Sequence, residues 1–169
     1  MAGDRPIHNP SAGYLGANVK LNLGCGFRKQ DGYINIDIDP RFDPDLVLDI
    51  TSGLPYKDDS VDEVRAVDFL EHIPIGRVIP VIEDIYRVLE NNGVLYSLTP
   101  STDGRGAFQD PTHVSFWNIN SWIYYMDDSH RDLYGIKAKF EGSVTDIQTN
   151  EKLKIIHTRC ILKAVKPCL

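Results

Sequence analysis

Lys20-Leu21-Asn22-Leu23-Gly24-Cys25-Gly26 is typical of a short apolar strand that ends in a Gly-x-Gly turn. A second strand is indicated soon afterwards by Ile34-Asn35-Ile36-Asp37, and it ends in a carboxylate. Glycine adopts positive φ readily and lets a ligand lie against bare backbone, while an acid at the end of the neighbouring strand can accept hydrogen bonds from both hydroxyls of a ribose. The two segments together indicate a site for a nucleotide-type cofactor.

Further strands and helices are predicted from the spacing of apolar residues. Strands are expected at residues 19–23, 33–38, 46–49, 61–67 and 94–99. From Ile75 to Leu89 apolar residues recur every three or four positions, which predicts an amphipathic helix that becomes regular near Ile79 and stops at Asn91-Asn92-Gly93. A short helix is expected at residues 119–126. Segments 140–147 and 153–165 are predicted to form a closing antiparallel hairpin.

This alternation of strands and helices predicts an α/β, Rossmann-like fold with a mostly parallel seven-stranded sheet and a C-terminal antiparallel hairpin. Only residues 27–32 connect the first two strands, so the helix between them is expected to be shortened or absent. Residues 1–18 contain several Gly and Pro residues and are predicted to be an irregular N-terminal arm. Residues 19–169 are predicted to form a single domain.

Four features fall at the carboxyl ends of predicted parallel strands: the glycine turn, Asp37, Asp49 and Asp68. Ligands of open α/β sheets bind outside these strand ends. The dinucleotide-binding fingerprint requires a Gly or Ala three residues after the second Gly, but Lys29 occupies that position here. The pattern therefore disfavours a nicotinamide-dependent oxidoreductase.

Composition limits the partners and the compartment that we expect. The formal net charge of -6 disfavours binding to a polynucleotide. The 3 cysteines form no Cys-x-x-Cys pair, which is typical of a reduced cytoplasmic protein without a disulfide framework or cysteine zinc site. Neither a signal peptide nor an apolar membrane span is recognisable, so a cytoplasmic protein that does not bind membranes is predicted.

Over residues 19–99 the sequence resembles the class I S-adenosylmethionine-dependent methyltransferases, particularly their small methyltransferase-11-like members. Several motifs carry this resemblance in the family's order: LNLGCG at 21–26, the acid Asp37, DITSGLPYKDDSVDEV at 49–64, FLEHI at 69–73, IEDIYRVL at 82–89, and Gly93 before the fifth strand. Their combination is specific, although a GCG turn by itself would be weak evidence.

The resemblance implies S-adenosylmethionine as cofactor. It assigns the ribose hydroxyls to Asp37, and it assigns the adenine amino group and the adenine face to Asp49 and Ile50. The methionine part is assigned to two segments, namely the glycine turn (Gly24, Cys25 and Gly26) and the end of the fourth strand (Asp68, Phe69 and Leu70).

Two histidines near the same edge of the sheet are candidate catalytic residues. His72 follows the fourth strand and His113 lies in the turn Gln109-Asp110-Pro111-Thr112-His113. Either imidazole could accept a proton from an acceptor near neutral pH, or it could have a purely structural role in capping or turn formation. The spacing of these histidines with Asp68 and Asp110 matches no recognised ligand pattern, so no metal site is predicted.

The function predicted from the sequence is S-adenosylmethionine-dependent methyl transfer to an unidentified acceptor, expected to be a small molecule or a sugar-like group. The alternative is a non-catalytic cofactor-binding module of the same fold, suggested by the missing helix. An uncovered apolar sheet face would also favour a homodimer. Aromatic residues concentrated at 108–125 are expected mostly to pack the short helix onto the sheet, with one or two facing a ligand.

Overall fold

The structure is a computed structural model that describes residues 18–167. Residues 1–17, which hold nearly all of the predicted N-terminal arm, lie outside the described residues, as do 168 and 169. The strands are β1 (Lys20–Leu23), β2 (Ile34–Asp37), β3 (Leu46–Val47), β4 (Val61–Val67), β5 (Leu89–Pro100), β6 (Phe140–Asn150) and β7 (Ile155–Ala164). The α-helices are α1 (Val78–Val88), α2 (Gly106–Gln109), α3 (Ile123–Met126) and α4 (Asp128–Tyr134). Short 3-10 helices cover Pro40–Phe42, Ile50–Ser52, Leu70–His72, Ile75–Arg77 and Ile119–Trp122.

All seven strands belong to one sheet, in the order β3-β2-β1-β4-β5-β7-β6. Strand β7 runs antiparallel to its neighbours β5 and β6, and the other neighbouring pairs are parallel. Strand order therefore reverses beside β1 and β4, the place where open sheets bind ligands. The predicted α/β fold with its C-terminal antiparallel hairpin is confirmed.

The connection from β1 to β2 contains turns and no helix, as predicted. Two buried asparagines hold it together. Asn22 Nδ2 donates to Asn35 Oδ1 over 3.0 Å and to the carbonyl of Arg28 over 3.2 Å. The backbone N–H of Gln30 also donates to Asn35 Oδ1, at 2.8 Å. The two side chains thus satisfy polar backbone groups of a connection that has no helical hydrogen bonds of its own.

Helix α1 packs its apolar stripe against the sheet through Val81, Ile82, Ile85 and Val88, all buried. Its predicted end was wrong, because the helix stops at Val88 and not at Asn91-Asn92-Gly93. Leu89 is already extended and pairs with Val61, and the β4–β5 register shifts between Val61 and Glu63. The residues taken for a helix stop belong to the irregular start of β5.

The two faces of the sheet differ in exposure. Along β5, Leu95, Ser97 and Thr99 are fully buried beneath the helices, whereas the alternate residues Tyr96 and Leu98 are only half-buried. The same contrast holds on β4, where Val64 and Ala66 are buried and their neighbours are not. Among residues 18–167 the helices therefore cover mainly one face of the sheet. The homodimer that such a face suggested stays a prediction.

The C-terminal part departs from the sequence prediction in detail. Strand β6 extends to Asn150 and β7 begins at Ile155, so the hairpin turn lies later than expected. Helices α2 and α4 were not predicted. None of the helices in the described part of the chain combines the length and apolarity that a bilayer span demands.

Candidate functional site

A cleft of about 660 Å³ opens at the carboxyl ends of β1, β2 and β4. This volume lies in the usual range for small-molecule sites. Its wall consists of Gly24, Gly26, Ile36, Asp37, Ile38, Phe42, Leu48, Asp49, Ile50, Thr51, Asp68, Phe69, His72, Ile73 and Pro74. The wall includes every predicted cofactor residue except Cys25 and Leu70. Whether these residues bind the cofactor stays a prediction, but the fold brings them together.

Asp37 ties the glycine turn to the end of β2. Its Oδ2 accepts from the backbone N–H of Gly26 over 2.8 Å, and its Oδ1 accepts from that of Asp39 over 2.9 Å. A carboxylate oxygen has two lone pairs, so each oxygen keeps capacity for one more hydrogen bond. Two neighbouring hydroxyls, such as those of a ribose, match this remaining capacity.

The first glycine of the turn, Gly24, is required because a side chain at this position would clash with Phe69. Gly24 has a φ of 61°, and a Cβ at this position would overlap the ring of Phe69. Gly26 also has positive φ, at 48°, but a Cβ there would meet nothing within 4 Å. Phe69 therefore lies directly over the backbone of Gly24, which joins the segment after β4 to the turn after β1.

Cys25 and Leu70 are buried and do not line the cleft. The backbone N–H of Cys25 donates to the carbonyl of Ile36 over 3.1 Å, so this residue links β1 to β2. Burial, assisted by the charge of Asp37, raises the pKa of the Cys25 thiol to about 11. The neutral thiol thus serves as a packing group, and any cofactor contact of these two residues stays a prediction.

The side of the cleft assigned to adenine is mainly apolar. Ile50 is buried in its wall, and Ile38 is 64% exposed. Asp49 caps the 3-10 helix Ile50–Ser52, accepting from the backbone N–H of Thr51 over 2.9 Å and from its hydroxyl over 2.7 Å. Ile38, Phe42 and Leu48 were not predicted from the sequence, although Ile38 and Leu48 stand next to the acids Asp37 and Asp49, which is a usable signal for a flat apolar ligand.

Asp68 also lies in the wall, but its carboxylate is already paired. Oδ2 accepts from Arg28 over 2.8 Å and Oδ1 lies 3.2 Å from His157 Nε2. The hydrogen bond from His157, assisted by that from Arg28, lowers the pKa of Asp68. This residue has a φ of 49°, uncommon outside glycine. Asp68 therefore connects the turn after β1 to β7 at the methionine end assigned from the sequence.

His72, in the wall of the cleft, packs against His113, which lies behind the wall, with ring centroids 5.0 Å apart. His113 Nδ1 lies 3.0 Å from the carbonyl of Ala107, and His72 Nδ1 lies 3.3 Å from that of Thr112. A carbonyl can only accept, and the Thr112 hydroxyl, also 3.3 Å from His72 Nδ1, donates its proton to Asp110, so in these hydrogen bonds each Nδ1 carries the proton. Each neutral ring consequently keeps the lone pair on Nε2.

Asp110 forms the turn that precedes His113. Its Oδ1 accepts from the backbone N–H of Thr112 over 2.8 Å and from its hydroxyl over 2.7 Å. These hydrogen bonds lower the pKa of Asp110. The other carboxylate oxygen lies 3.9 Å from His113 Nε2, beyond hydrogen-bond range. Asp110 therefore shapes the loop and does not orient the imidazole by a direct hydrogen bond.

Glu71 is the residue of this region that the sequence analysis did not recognise. Its side chain is 2% exposed, and neither carboxylate oxygen accepts a hydrogen bond of normal geometry in the described part of the chain. The nearby backbone N–H groups of Glu71 and Phe69 favour its charged form less than burial opposes it. Burial is the main reason why the pKa of Glu71 is raised to about 8. Its backbone carbonyl accepts from Val114 and Ser115, which fastens the histidine loop beside it. The FLEHI motif placed Glu71 next to His72 but gave no sign of its burial.

The aromatic residues beyond β5 divide into two sets. Trp117, Trp122 and Tyr125 are buried in the core. Phe108 and Phe116 are exposed and stack with ring centroids 5.2 Å apart. Tyr124 is also exposed, so half of the six rings pack in the core and half do not, which is more exposed aromatic surface than the sequence predicted.

Residues 32–97 match the family model described as a methyltransferase domain. The matched segment begins after the glycine turn and includes Asp37, Asp49 and His72. No curated protein matches the sequence with significance.

Solved structures share the fold at low sequence identity. A SAM-dependent methyltransferase from Methanosarcina mazei has 16% identity and a TM-score of 0.62, over 89% of this chain and 93% of that chain. A chain of the complex between the Haloferax volcanii Trm112 methyltransferase activator and a putative methyltransferase has 15% identity and a TM-score of 0.64, over 90% and 84% of the two chains. The Burkholderia thailandensis 1,6-didemethyltoxoflavin-N1-methyltransferase, with bound 1,6-didemethyltoxoflavin and S-adenosylhomocysteine, has 10% identity and a TM-score of 0.60, over 90% and 73%.

These findings agree with the resemblance noted at residues 19–99. At such low sequence identities the solved structures are evidence for the fold alone. The chain has the fold of the class I S-adenosylmethionine-dependent methyltransferases, and its residues 32–97 match their methyltransferase domain.

Proposed function

We propose that the chain binds S-adenosylmethionine in the cleft and transfers its methyl group to a small-molecule acceptor, a sugar-like group being one candidate. The observation that carries this proposal is the position of Asp37. Its carboxylate faces the cleft with free acceptor capacity, between the glycine turn on one side and an apolar wall on the other. A ribose, a methionine chain and an adenine ring match these three parts.

The proposed orientation of the cofactor follows from the same three parts. The adenine lies against Ile50 near Asp49, the ribose hydroxyls donate to Asp37, and the methionine chain runs along the glycine turn toward Asp68 and Phe69. Gly24, Cys25, Gly26 and Leu70 contribute backbone or packing contacts. The absence of a third glycine argues against a pyrophosphate and hence against NAD.

Methyl transfer needs an acceptor held in line with the carbon–sulfur bond of the sulfonium. Positioning and exclusion of water supply much of the rate, because the positive charge disperses as the nucleophile attacks. An acceptor that carries a proton must also lose it. We propose His72 and His113 as the catalytic pair, since His72 lines the cleft, the His113 ring packs against it, and each Nδ1 is held by a carbonyl so that Nε2 is left to accept a proton.

The Asp37→Ala variant is expected to bind S-adenosylmethionine more weakly by roughly 1 to 3 kcal/mol, because charge-assisted hydrogen bonds to the ribose are lost. Calorimetric titration of the wild-type and variant proteins measures this difference. The matched control is Asp31→Ala, which removes an exposed carboxylate from the same connection and is expected to leave the affinity unchanged. Equal weakening in both variants, or in neither, would remove Asp37 from the proposed site.

A non-catalytic cofactor-binding module is the second candidate, favoured by the turn that replaces the helix between β1 and β2. Both candidates predict binding of S-adenosylmethionine, and only the enzyme predicts a methylated product. Incubating the protein with labelled S-adenosylmethionine and a fractionated small-molecule extract separates them. A labelled product that requires the protein supports the enzyme, whereas binding without any product across the fractions supports the module.

A further inference from the structure

We propose that Glu71, His72 and His113 form a binding site for one divalent transition-metal ion of the zinc or iron(II) type. One ring nitrogen of each histidine and one carboxylate oxygen of Glu71 lie within 4.8 Å of one another. Two imidazoles and a carboxylate are a donor set that such ions accept, with coordination positions left open for a further ligand. A magnesium ion is a poorer match because it prefers oxygen ligands.

The Glu71 carboxylate is buried and receives no hydrogen bond from another side chain in the described part of the chain. Buried carboxylates in folded proteins are nearly always paired or hydrogen-bonded, since burial without a partner costs several kcal/mol. The nearby backbone N–H groups of Glu71 and Phe69 do not reach normal hydrogen-bond geometry with either oxygen of Glu71. A bound cation would supply the missing partner.

Both imidazoles are held by a hydrogen bond from Nδ1 to a backbone carbonyl. Metal-binding histidines usually donate their other ring N–H to a carbonyl or carboxylate, which fixes the tautomer and directs the lone pair. His113 does so through Ala107, and His72 does so through Thr112. In both rings Nδ1 is therefore occupied and Nε2 is left as the donor atom for an ion.

Binding would require a small contraction of the site. Ligand atoms that share an ion lie about 2.0 to 2.2 Å from it, so they approach one another more closely than in this structure. His72 is exposed on the surface 3-10 helix Leu70–His72, and its ring can turn without disturbing the core. Glu71 and His113 are the more buried ligands and would define where the ion lies.

The position of the site also suggests a role, which rests on the proposed function. His72 belongs to the cleft wall, so an ion there would lie at the proposed acceptor end. A hydroxyl bound to such an ion loses its proton more easily. The ion would therefore favour acceptors with an oxygen ligand, and the two histidines would act on the acceptor through it.

The test is a titration of chelator-treated full-length protein with Co²⁺, followed by visible absorption, and with Zn²⁺, followed by calorimetry. One ion per chain is expected to bind in the wild-type protein. The variants Glu71→Gln, His113→Ala and His72→Ala each change a direct ligand and are expected to weaken binding by at least the roughly 10- to 100-fold that loss of an outer-shell partner costs. His130→Ala is the matched control, because it removes a histidine of α4 that pairs with the N-cap residue Asp127, and it is expected to bind like the wild type.

The proposal is overturned if the wild-type protein binds neither ion, or if Glu71→Gln and His72→Ala bind as tightly as the wild type. His72→Ala keeps the test valid if a core variant fails to fold, since His72 is exposed. Titration of the chelator-treated protein with S-adenosylmethionine is run in parallel. Loss of cofactor binding would count against the proposed function, whereas loss of metal binding alone would count only against the metal site.

Discussion

Replacing His113 with alanine is expected to reduce methyl transfer by a factor of about 10² to 10⁴, the usual contribution of a positioned acid–base group. Binding of S-adenosylmethionine should be unchanged, because His113 does not line the cofactor cleft. The loss is expected whether its Nε2 accepts the proton directly or binds an ion that activates the acceptor. The measurement is single-turnover transfer of labelled methyl to an acceptor identified from the extract fractions, together with the cofactor affinity of the variant.

His130→Ala is the control for this experiment and should transfer methyl at the wild-type rate. A His113→Ala variant that retains full activity would limit His113 to its hydrogen bond with Ala107, in which it only stabilises the loop. If His113→Ala also loses binding of S-adenosylmethionine, the loop that contains His113 is needed for the structure of the cleft. Either outcome would remove His113 from the proposed catalytic pair.

The second large effect is expected in the pH dependence of stability. Burial raises the pKa of Glu71 from 4.5 to about 8, so between these values the folded protein holds a proton that the unfolded chain has lost. The free energy of unfolding of the metal-free protein should therefore fall as the pH rises through this window. The contribution from Glu71 is on the order of 4 kcal/mol between about pH 5 and 8.

Glu71→Gln is expected to remove this pH dependence, because the amide resembles the protonated acid and does not titrate. Urea denaturation at several pH values measures the effect, with Glu90→Gln as an exposed control that should keep the wild-type slope. An unchanged slope in Glu71→Gln would show that Glu71 ionises normally in the folded protein. Saturating Zn²⁺ should reduce the slope in the wild type, since the ion stabilises the carboxylate.

The sheet and its ligand-binding edge could be predicted because they depend on local patterns. Apolar strands that end in Gly or Asp place Gly24, Asp37 and Asp68 at the same edge in any parallel sheet of this order. The missing helix after β1 also followed from the number of residues between the strands. The hydrogen bonds that hold the connection in place of a helix could not be predicted, because the contact between Asn22 and Asn35 forms only when β1 and β2 pair.

Other features depended on contacts between distant segments. The end of α1 was misplaced because pairing of Leu89 with Val61 overrides the stop signal that Asn91-Asn92-Gly93 carries. The burial of Glu71 arises from the loop around residues 113–115, whose backbone bonds to its carbonyl. Proximity of Glu71, His72 and His113 follows from that loop, and their spacing of 1 and 41 residues in the sequence gives no recognisable ligand pattern.

The central claim is that the cleft beside Asp37 binds S-adenosylmethionine. Calorimetric titration of the wild-type protein with S-adenosylmethionine, S-adenosylhomocysteine and NAD tests it most directly. Saturable binding of the first two compounds, one per chain, with no heat from NAD, is the expected result. Binding of NAD alone, or of none of the three, would contradict the account.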